Sequence, residues 1–325
     1  MRVRIAGTGS YAPKTVVTNA DLEKLVETND AWIVERTGIR ERRRADADEA
    51  TSDMCTKAAK QALEMAGWRA DELDLIVVGT ITPDYPFPSA AVLVQAKLGA
   101  KKAFAFDISA ACAGSLFGLT VAEKFIRGGN VKKALVIGAE MLTRITDWTD
   151  RNTCVLFGDG AGAMCITPST DESGLLSSHL FTDGDFAKIL LQPGGGSAAP
   201  FSQKVLDEKL ATIHMEGKEV FKFAVRSLVE AMEIALKENG LKSSDIRHVI
   251  AHQANLRIIE AVTKRLDIPM ERVWLNLEKY GNTSSASMPT TLDEANRAGK
   301  LKKGDLIGML AIGAGMAWGS AVVRW

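Results

Sequence analysis

Three side chains of this sequence have the type and setting for nucleophilic chemistry: Cys112, His252 and Asn282. Phe104 to Ile108 reads as a short strand, and Ala110-Ala111-Cys112-Ala113-Gly114-Ser115-Leu116 opens a small-residue helix. Cys112 therefore falls at or just before a helix N-terminus, where unpaired N–H groups and the macrodipole favour an anion. A thiol there loses its proton more readily, and the thiolate is the nucleophile of cysteine enzymes. A buried core cysteine fits the same segment, because free cysteine is among the most buried residues. His252 directly follows the apolar run His248-Val249-Ile250-Ala251 and sits where a buried strand ends. Asn282 lies in YGNTSSASMP, a loop of small residues before a helix starting near Pro289. Taken singly, the first reads equally as a structural histidine and the second as a turn residue or cap.

Together, Cys, His and Asn permit two chemistries. A cysteine hydrolase uses His as base and Asn to orient it. A thioester-condensing enzyme holds an acyl group on Cys, with His and Asn both donating hydrogen bonds to a thioester oxygen. The elements that must position the three residues bear on this choice. Ala62 to Gly79 (ALEMAGWRADELDLIVVG) aligns without a gap on Ala235 to His252 (ALKENGLKSSDIRHVIAH), and each segment reads as amphipathic helix, glycine cap, polar turn and buried strand. Phe104 and Phe106 resemble Val273 and Leu275, VIGAEM (Val136 to Met141) resembles AIGAGM (Ala311 to Met316), and FGDGAGA resembles WGSAVVR. Helical patterns alternate with short apolar strands, which predicts an α/β protein with mostly parallel or mixed sheets, divided into halves at 1–172 and 173–325. The alignment puts Gly79 opposite His252, and Cys112 near Gly281-Asn282, so all three residues fall in equivalent strand-end loops, where α/β sheets bind ligands. A helix-borne cysteine in a duplicated α/β frame favours the condensing chemistry over the hydrolase.

Composition narrows the partners. Lys plus Arg equals Asp plus Glu at 40 each, so no overall field points to nucleic acid or an anionic membrane surface. The cysteines Cys55, Cys112, Cys154 and Cys165 lack CxxC spacing and predict neither a zinc site nor a disulfide framework; so few thiols, with no apolar leader in MRVRIAGTGSYAPK, predict a cytoplasmic protein. Leu306 to Val323 is uncharged and long enough to span a membrane, but its glycines predict two buried strands around a turn. GAGMAWG mimics part of a dinucleotide fingerprint without room for the βαβ unit that must follow it. The run Arg40-Glu41-Arg42-Arg43-Arg44 reads as a solvated turn.

The motifs DISAACAG, HQANLRII, YGNTSSASMP and WGSAVVRW, with DAWIVERTGIRER (Asp30 to Arg42), DWTDRNTCVLFGDGAG (Asp147 to Gly162) and MEGKEVFKFAVR (Met215 to Arg226), resemble the β-ketoacyl-acyl-carrier-protein synthase III family of the thiolase superfamily nearly end to end. The resemblance implies a five-layered αβαβα thiolase fold and a homodimer. It implies that Cys112 takes an acyl group from acyl-CoA, and that His252 and Asn282 stabilise the enolate formed when malonyl-carrier protein decarboxylates. The product is a 3-oxoacyl-carrier protein, and no cofactor or metal is required. An oxyanion hole from the N–H groups of Cys112 and Ala314 is implied, although relatives carry three glycines where this chain has Gly313-Ala314-Gly315. If residue 314 needs positive φ, alanine there is strained.

The same resemblance nominates Trp32 and Arg151 to sandwich the adenine of CoA. Thr28, Arg36, Thr37, Asn152, Gly217, Phe221, Ala254 and Asn255 would line the pantetheine tunnel. Gln253, Ala254, Asn255, Leu256 and Arg257, with Lys222 and additionally Lys264 and Arg265, would meet the acidic carrier protein. Phe87 would reach across the dimer to close the partner's acyl pocket.

Overall fold

A computed structural model describes residues 1–325. Its first sheet holds β1 (Val3–Tyr11), β2 (Leu75–Gly79), β3 (Phe104–Ile108), β4 (Ala134–Met141) and β5 (Asp159–Pro168), in the spatial order β1-β5-β4-β2-β3. Strands β2, β3 and β4 run parallel, and β5 is antiparallel to both β1 and β4. The second sheet holds β6 (Gly174–Thr182), β7 (His248–Ala251), β8 (Leu306–Gly313) and β9 (Ala317–Arg324), in the order β7-β8-β9-β6. A parallel bridge between Val249 and Val273 adds a fifth position beside β7, where β3 stands beside β2 in the first sheet. The two sheets therefore share one strand order, and the Phe104/Val273 equivalence in the sequence corresponds to a real position.

Helices α1 (Asp30–Thr37), α2 (Thr51–Ala66), α3 (Ala90–Leu98), α4 (Gly114–Arg127), α5 (Gly217–Glu238), α6 (Leu256–Arg265) and α7 (Ser287–Arg297) complete the frame. α2 and α3 cover the outer face of the first sheet, and α5 and α6 that of the second. α4 and α7 lie between the sheets, and one core of Leu116, Leu119, Ile126, Met288 and Leu292 packs on Val77, Val136, Ile250 and Met309 from both. This is the five-layered thiolase-like arrangement. α4 is small or apolar from Gly114 to Ala122 apart from Ser115 and Thr120, with its charges gathered at Glu123, Lys124 and Arg127 near its end. α7 (SMPTTLDEANR) is polar in sequence, yet Thr290 and Thr291 donate back to the carbonyls of Ala286 and Ser287, at 2.7 and 2.8 Å, and so bury without an unpaired hydroxyl.

Leu306 to Val323 forms the antiparallel pair β8/β9, as its glycines predicted, and no helix is long and apolar enough to cross a membrane. The reading of Arg40 to Arg44 as a solvated turn is overturned. Glu41–Arg44 is a strand paired with Thr15–Thr18, and the Arg42 side chain is fully buried. Its guanidinium donates to Val17 O (3.2 Å), Asn19 Oδ1 (2.9 Å) and Val155 O (2.8 Å), an internal tie that charge patterning alone does not reveal.

Candidate active site

β3 ends at Ile108, and the chain turns through Ala111–Ala113 into α4. Ala111 adopts φ +44°, a left-handed conformation uncommon for a residue with a Cβ, and this sharp turn presents Cys112 beside the end of β8. The turn after β8 presses on it: a Cβ at Gly313 would stand 2.5 Å from Cys112 N, so only glycine permits the approach. The positive φ values in the Gly313–Met316 turn fall on Gly315 (+73°) and Met316 (+43°), not on Ala314. Alanine at 314 therefore carries none of the strain considered for it. His252 follows β7, and Asn282 precedes the turn into α7.

Cys112, His252 and Asn282 meet at one cavity of about 480 Å³, and each is more than nine-tenths buried. Their environments are unlike. Burial pushes the Cys112 thiol up to about 12; the charge of Glu140 adds to the rise, and hydrogen bonding from Ser284 and from Cys112's own amide opposes it. Depth in the pocket and the charge of Glu140 thus work against the ready ionisation expected of a thiol at a helix terminus.

Burial pushes His252 down to about 3, against a small opposing effect of the Ser284 carbonyl, so the ring is neutral at physiological pH. Its Nδ1 lies 2.6 Å from Ser287 Oγ, which accepts from the Gln253 N–H (3.2 Å) and faces Ser284 O at 2.8 Å. The serine has one proton for two acceptors. When its O–H turns to Ser284 O, Nδ1 carries the ring proton; when it turns to a bare Nδ1, Nε2–H becomes a donor for a ligand.

Asn282 makes no hydrogen bond to His252. Its Oδ1 accepts from the Ser284 N–H at 2.8 Å, which leaves the Nδ2 amide without a partner in the chain, at the cavity wall. A neutral imidazole and an oriented amide are two uncharged donors, suited to an oxygen that gains negative charge.

The cavity runs from these residues past Ile312, Gly313 and Met316 to Trp32, Arg36, Thr37, Asn152, Gly217, Phe221, Ala254 and Asn255, eight of the ten residues nominated for CoA. Thr28 and Arg151 lie outside this lining. Thr28 Oγ1 is buried without a partner. The open Trp32/Arg151 slot is not formed: Arg151 Cζ stands 4.8 Å from the Trp32 ring centre, too close for a third ring between them, while Arg151 Nη1 donates to Glu27 O. Arg36 also stacks on Trp32, at 4.6 Å. Cation–π attraction closes the slot.

Gln253 must be removed from the carrier-protein face. It is fully buried, with Nε2 donating to Ala251 O and Trp274 O and Oε1 accepting from the Asn276 N–H. Asn255 caps α6 through the Arg257 N–H and reaches Arg36 O, and Leu256 is half-buried. Arg257, Lys222, Lys264 and Arg265 are exposed, Lys222 beside Glu219. Phe87 is 85% exposed and lies outside the cavity lining.

Residues 106–184 match the family described as 3-oxoacyl-[acyl-carrier-protein (ACP)] synthase III, and residues 236–325 match its C-terminal part. A β-ketoacyl-[acyl-carrier-protein] synthase III of Caldanaerobacter subterraneus subsp. tengcongensis is 52% identical over 321 residues, 99% of this chain and 97% of that protein. The chain belongs to the 3-oxoacyl-[acyl-carrier-protein] synthase III family. Another synthase III relative, from Xanthomonas oryzae pv. oryzae, is 52% identical over 99% of this chain and 98% of its own. The crystal structure of the synthase III of Aquifex aeolicus superposes with a TM-score of 0.93 at 48% identity, covering 99% of this chain and all of that one.

Sequence reasoning missed three members of this synthase site. Ser284 acts on all three nominated residues, from a left-handed backbone with φ +50°. Ser287 holds the imidazole. Glu140 lies behind Ser284. The density of serines in NTSSAS was one available signal; a lone carboxylate in the apolar strand VIGAEM was the other.

Proposed function

We infer that this chain is the initiating condensing enzyme of type II fatty acid synthesis. Cys112 attacks a short acyl-CoA and CoA leaves. Malonyl-ACP then loses CO2, the resulting carbanion attacks the acyl-cysteine, and a 3-oxoacyl-ACP is released. His252 and Asn282 donate to the malonyl thioester oxygen, where decarboxylation places negative charge. The N–H groups of Cys112 and Ala314 serve the acyl-enzyme steps. The observation that carries this reading is the tether on Asn282: an asparagine orienting a hydrolytic histidine would bond to it, whereas this one bonds to Ser284 and offers its amide to the cavity. The acyl carrier protein in the family's name agrees with it.

The carrier protein would approach over Arg257, Lys222, Lys264 and Arg265, exposed cations that raise the encounter rate with an acidic partner more than the affinity. A homodimer is supported by β3, an edge strand whose Phe104 is 44% exposed and packs on the exposed Phe125. An apolar sheet edge of this kind calls for cover. In the dimer, Phe87 would close the partner's acyl pocket.

The test separates the half-reactions. Incubation with acetyl-CoA should place one acetyl group on Cys112, mapped by peptide mass. Asn282→Ala should still acetylate, while malonyl-ACP decarboxylation falls on the order of 10²–10³-fold from the loss of one oxyanion donor. A variant that loses acetyl transfer but keeps decarboxylation refutes the assignment.

A further inference from the structure

A resting thiol this resistant to ionisation needs a proton acceptor at the moment of attack, and the groups that act on it are Ser284 and Glu140, with His252 not among them. Glu140, the next-to-last residue of β4, is completely buried. It accepts from Thr82 Oγ1–H at 2.6 Å, Ser284 Oγ–H at 3.2 Å, Thr80 Oγ1–H at 3.3 Å and the Ile81 N–H at 3.2 Å, and no Lys, Arg or His pairs with it. Burial raises its carboxyl to about 7, with those hydroxyls and the amide pulling the other way. Opposite it, β5 presents Gly160; after β2, the facing side chains are threonines. The titratable groups that feel its charge are two thiols, Cys112 across Ser284 and Cys55 on α2. Asp159, opposite Met141, is occupied by Thr143 and the Ala45 N–H.

We propose that Glu140 is the proton acceptor for Cys112 during acyl transfer, with the Ser284 hydroxyl as the bridge. This rests on the reading of Cys112 as the acyl acceptor. With Glu140 ionised, the Ser284 O–H donates to Oε1, and the turn that carries Ser284 packs against the turn that carries Cys112. As sulfur bonds to the thioester carbonyl carbon, the S–H proton passes to Ser284 Oγ and the serine's own proton to Glu140, while sulfur keeps the electron pair that forms the new bond. The carbonyl π pair moves to oxygen. Collapse of the adduct breaks the bond to the CoA sulfur, and the proton returns from Glu140 through Ser284 to that departing thiolate. CoA leaves as a thiol and Glu140 is again a carboxylate. Both endpoints keep every hydroxyl paired, because the Ser284 O–H reverses direction with the proton. A buried carboxyl that titrates near neutrality is matched to such a task. Glu140 acts through Ser284 and is a positioning residue for the proton, without contact to substrate.

The experiment is single-turnover acetylation of Cys112 by acetyl-CoA, read by intact mass from pH 5.5 to 8.5. In the wild type the rate should rise through an ionisation near 7 and level off. Glu140→Gln should acetylate about 10²-fold or more slowly at pH 8 and lose the plateau, its rate still climbing with pH. Acetyl-enzyme of this variant, accumulated by long incubation, should condense with malonyl-ACP at a rate within about threefold of wild type, because that step does not use the relay. Ser284→Ala, which keeps Glu140 and the backbone tethers, should reproduce the slow acetylation if Glu140→Gln does not fold. Equal losses in both half-reactions with an unchanged pH profile would make Glu140 merely structural. Faster acetylation of Glu140→Gln at pH 7, the result of simply removing a negative charge beside the thiol, overturns the relay. So does a wild-type rate that is flat across the range. A wild type that takes no acetyl group brings down the reading of Cys112 itself, whereas an acetylating wild type matched by both variants brings down the relay alone.

Discussion

The carboxyl of Glu140 also makes a thermodynamic demand on the fold. Its ordinary pKa of 4.5 is raised to about 7 by burial. A carboxyl whose folded-state pKa is raised favours the protonated form in the native state. That contribution is fully present below pH 4.5 and is lost as pH climbs towards 7. At 1.36 kcal/mol per unit, the loss is about 3 kcal/mol, most of which falls between pH 5 and pH 8. Glu140→Gln keeps the shape and removes the ionisation. Its amide fits a cluster of donors less well than a carboxylate does, a mismatch of about 1 kcal/mol that does not vary with pH. Urea unfolding of both proteins, at one fixed protein concentration, should therefore show the variant equal to or below wild type at pH 5. At pH 8 it should have gained about 2–3 kcal/mol relative to wild type. A stability difference that is the same at the two pH values, within ~0.5 kcal/mol, refutes the argument, since nothing else about the substitution titrates in that window.

Gly313→Ala should fold with a cost of about 1–3 kcal/mol and acetylate Cys112 poorly, because the new Cβ would lie 2.5 Å from Cys112 N; acetylation at the wild-type rate would deny the close approach. Trp32→Ala should raise KM for acetyl-CoA about tenfold yet leave turnover of a short acyl-pantetheine thioester unchanged; equal effects on both donors would remove Trp32 from nucleotide binding. Phe87→Asp should shift the sedimentation profile from dimer to monomer and leave the monomer folded; an unaltered dimer would show that Phe87 lies off the interface.

Much of the frame was legible because it repeats. The match of Ala62–Gly79 to Ala235–His252 tells that two halves share a strand order, and the glycine spacing of residues 306–323 tells that the segment turns back on itself. What sequence could not reveal depends on partners distant along the chain. Gln253 sits in an otherwise well-placed motif, yet it is buried by Trp274 and Asn276. Arg42 looks solvated until Val17, Asn19 and Val155 surround it. The thiol's resistance to ionisation comes from depth and from Glu140, neither visible in DISAACAG. Ser284 carries only the weak signal of a serine-dense loop, which does not reveal its left-handed backbone.

If Trp32 is the platform for the adenine of CoA, as proposed, its contact with Arg151 is an internal rival for the ring. The guanidinium occupies the indole face that a purine would need, and because it is tethered, dilution never weakens it. An exposed cation–π contact is worth about 0.5–1 kcal/mol, so this internal rival lowers nucleotide affinity about two- to fivefold. On that reading the same rival would reclaim the ring as a spent nucleotide loosens, and would shorten the residence of that product.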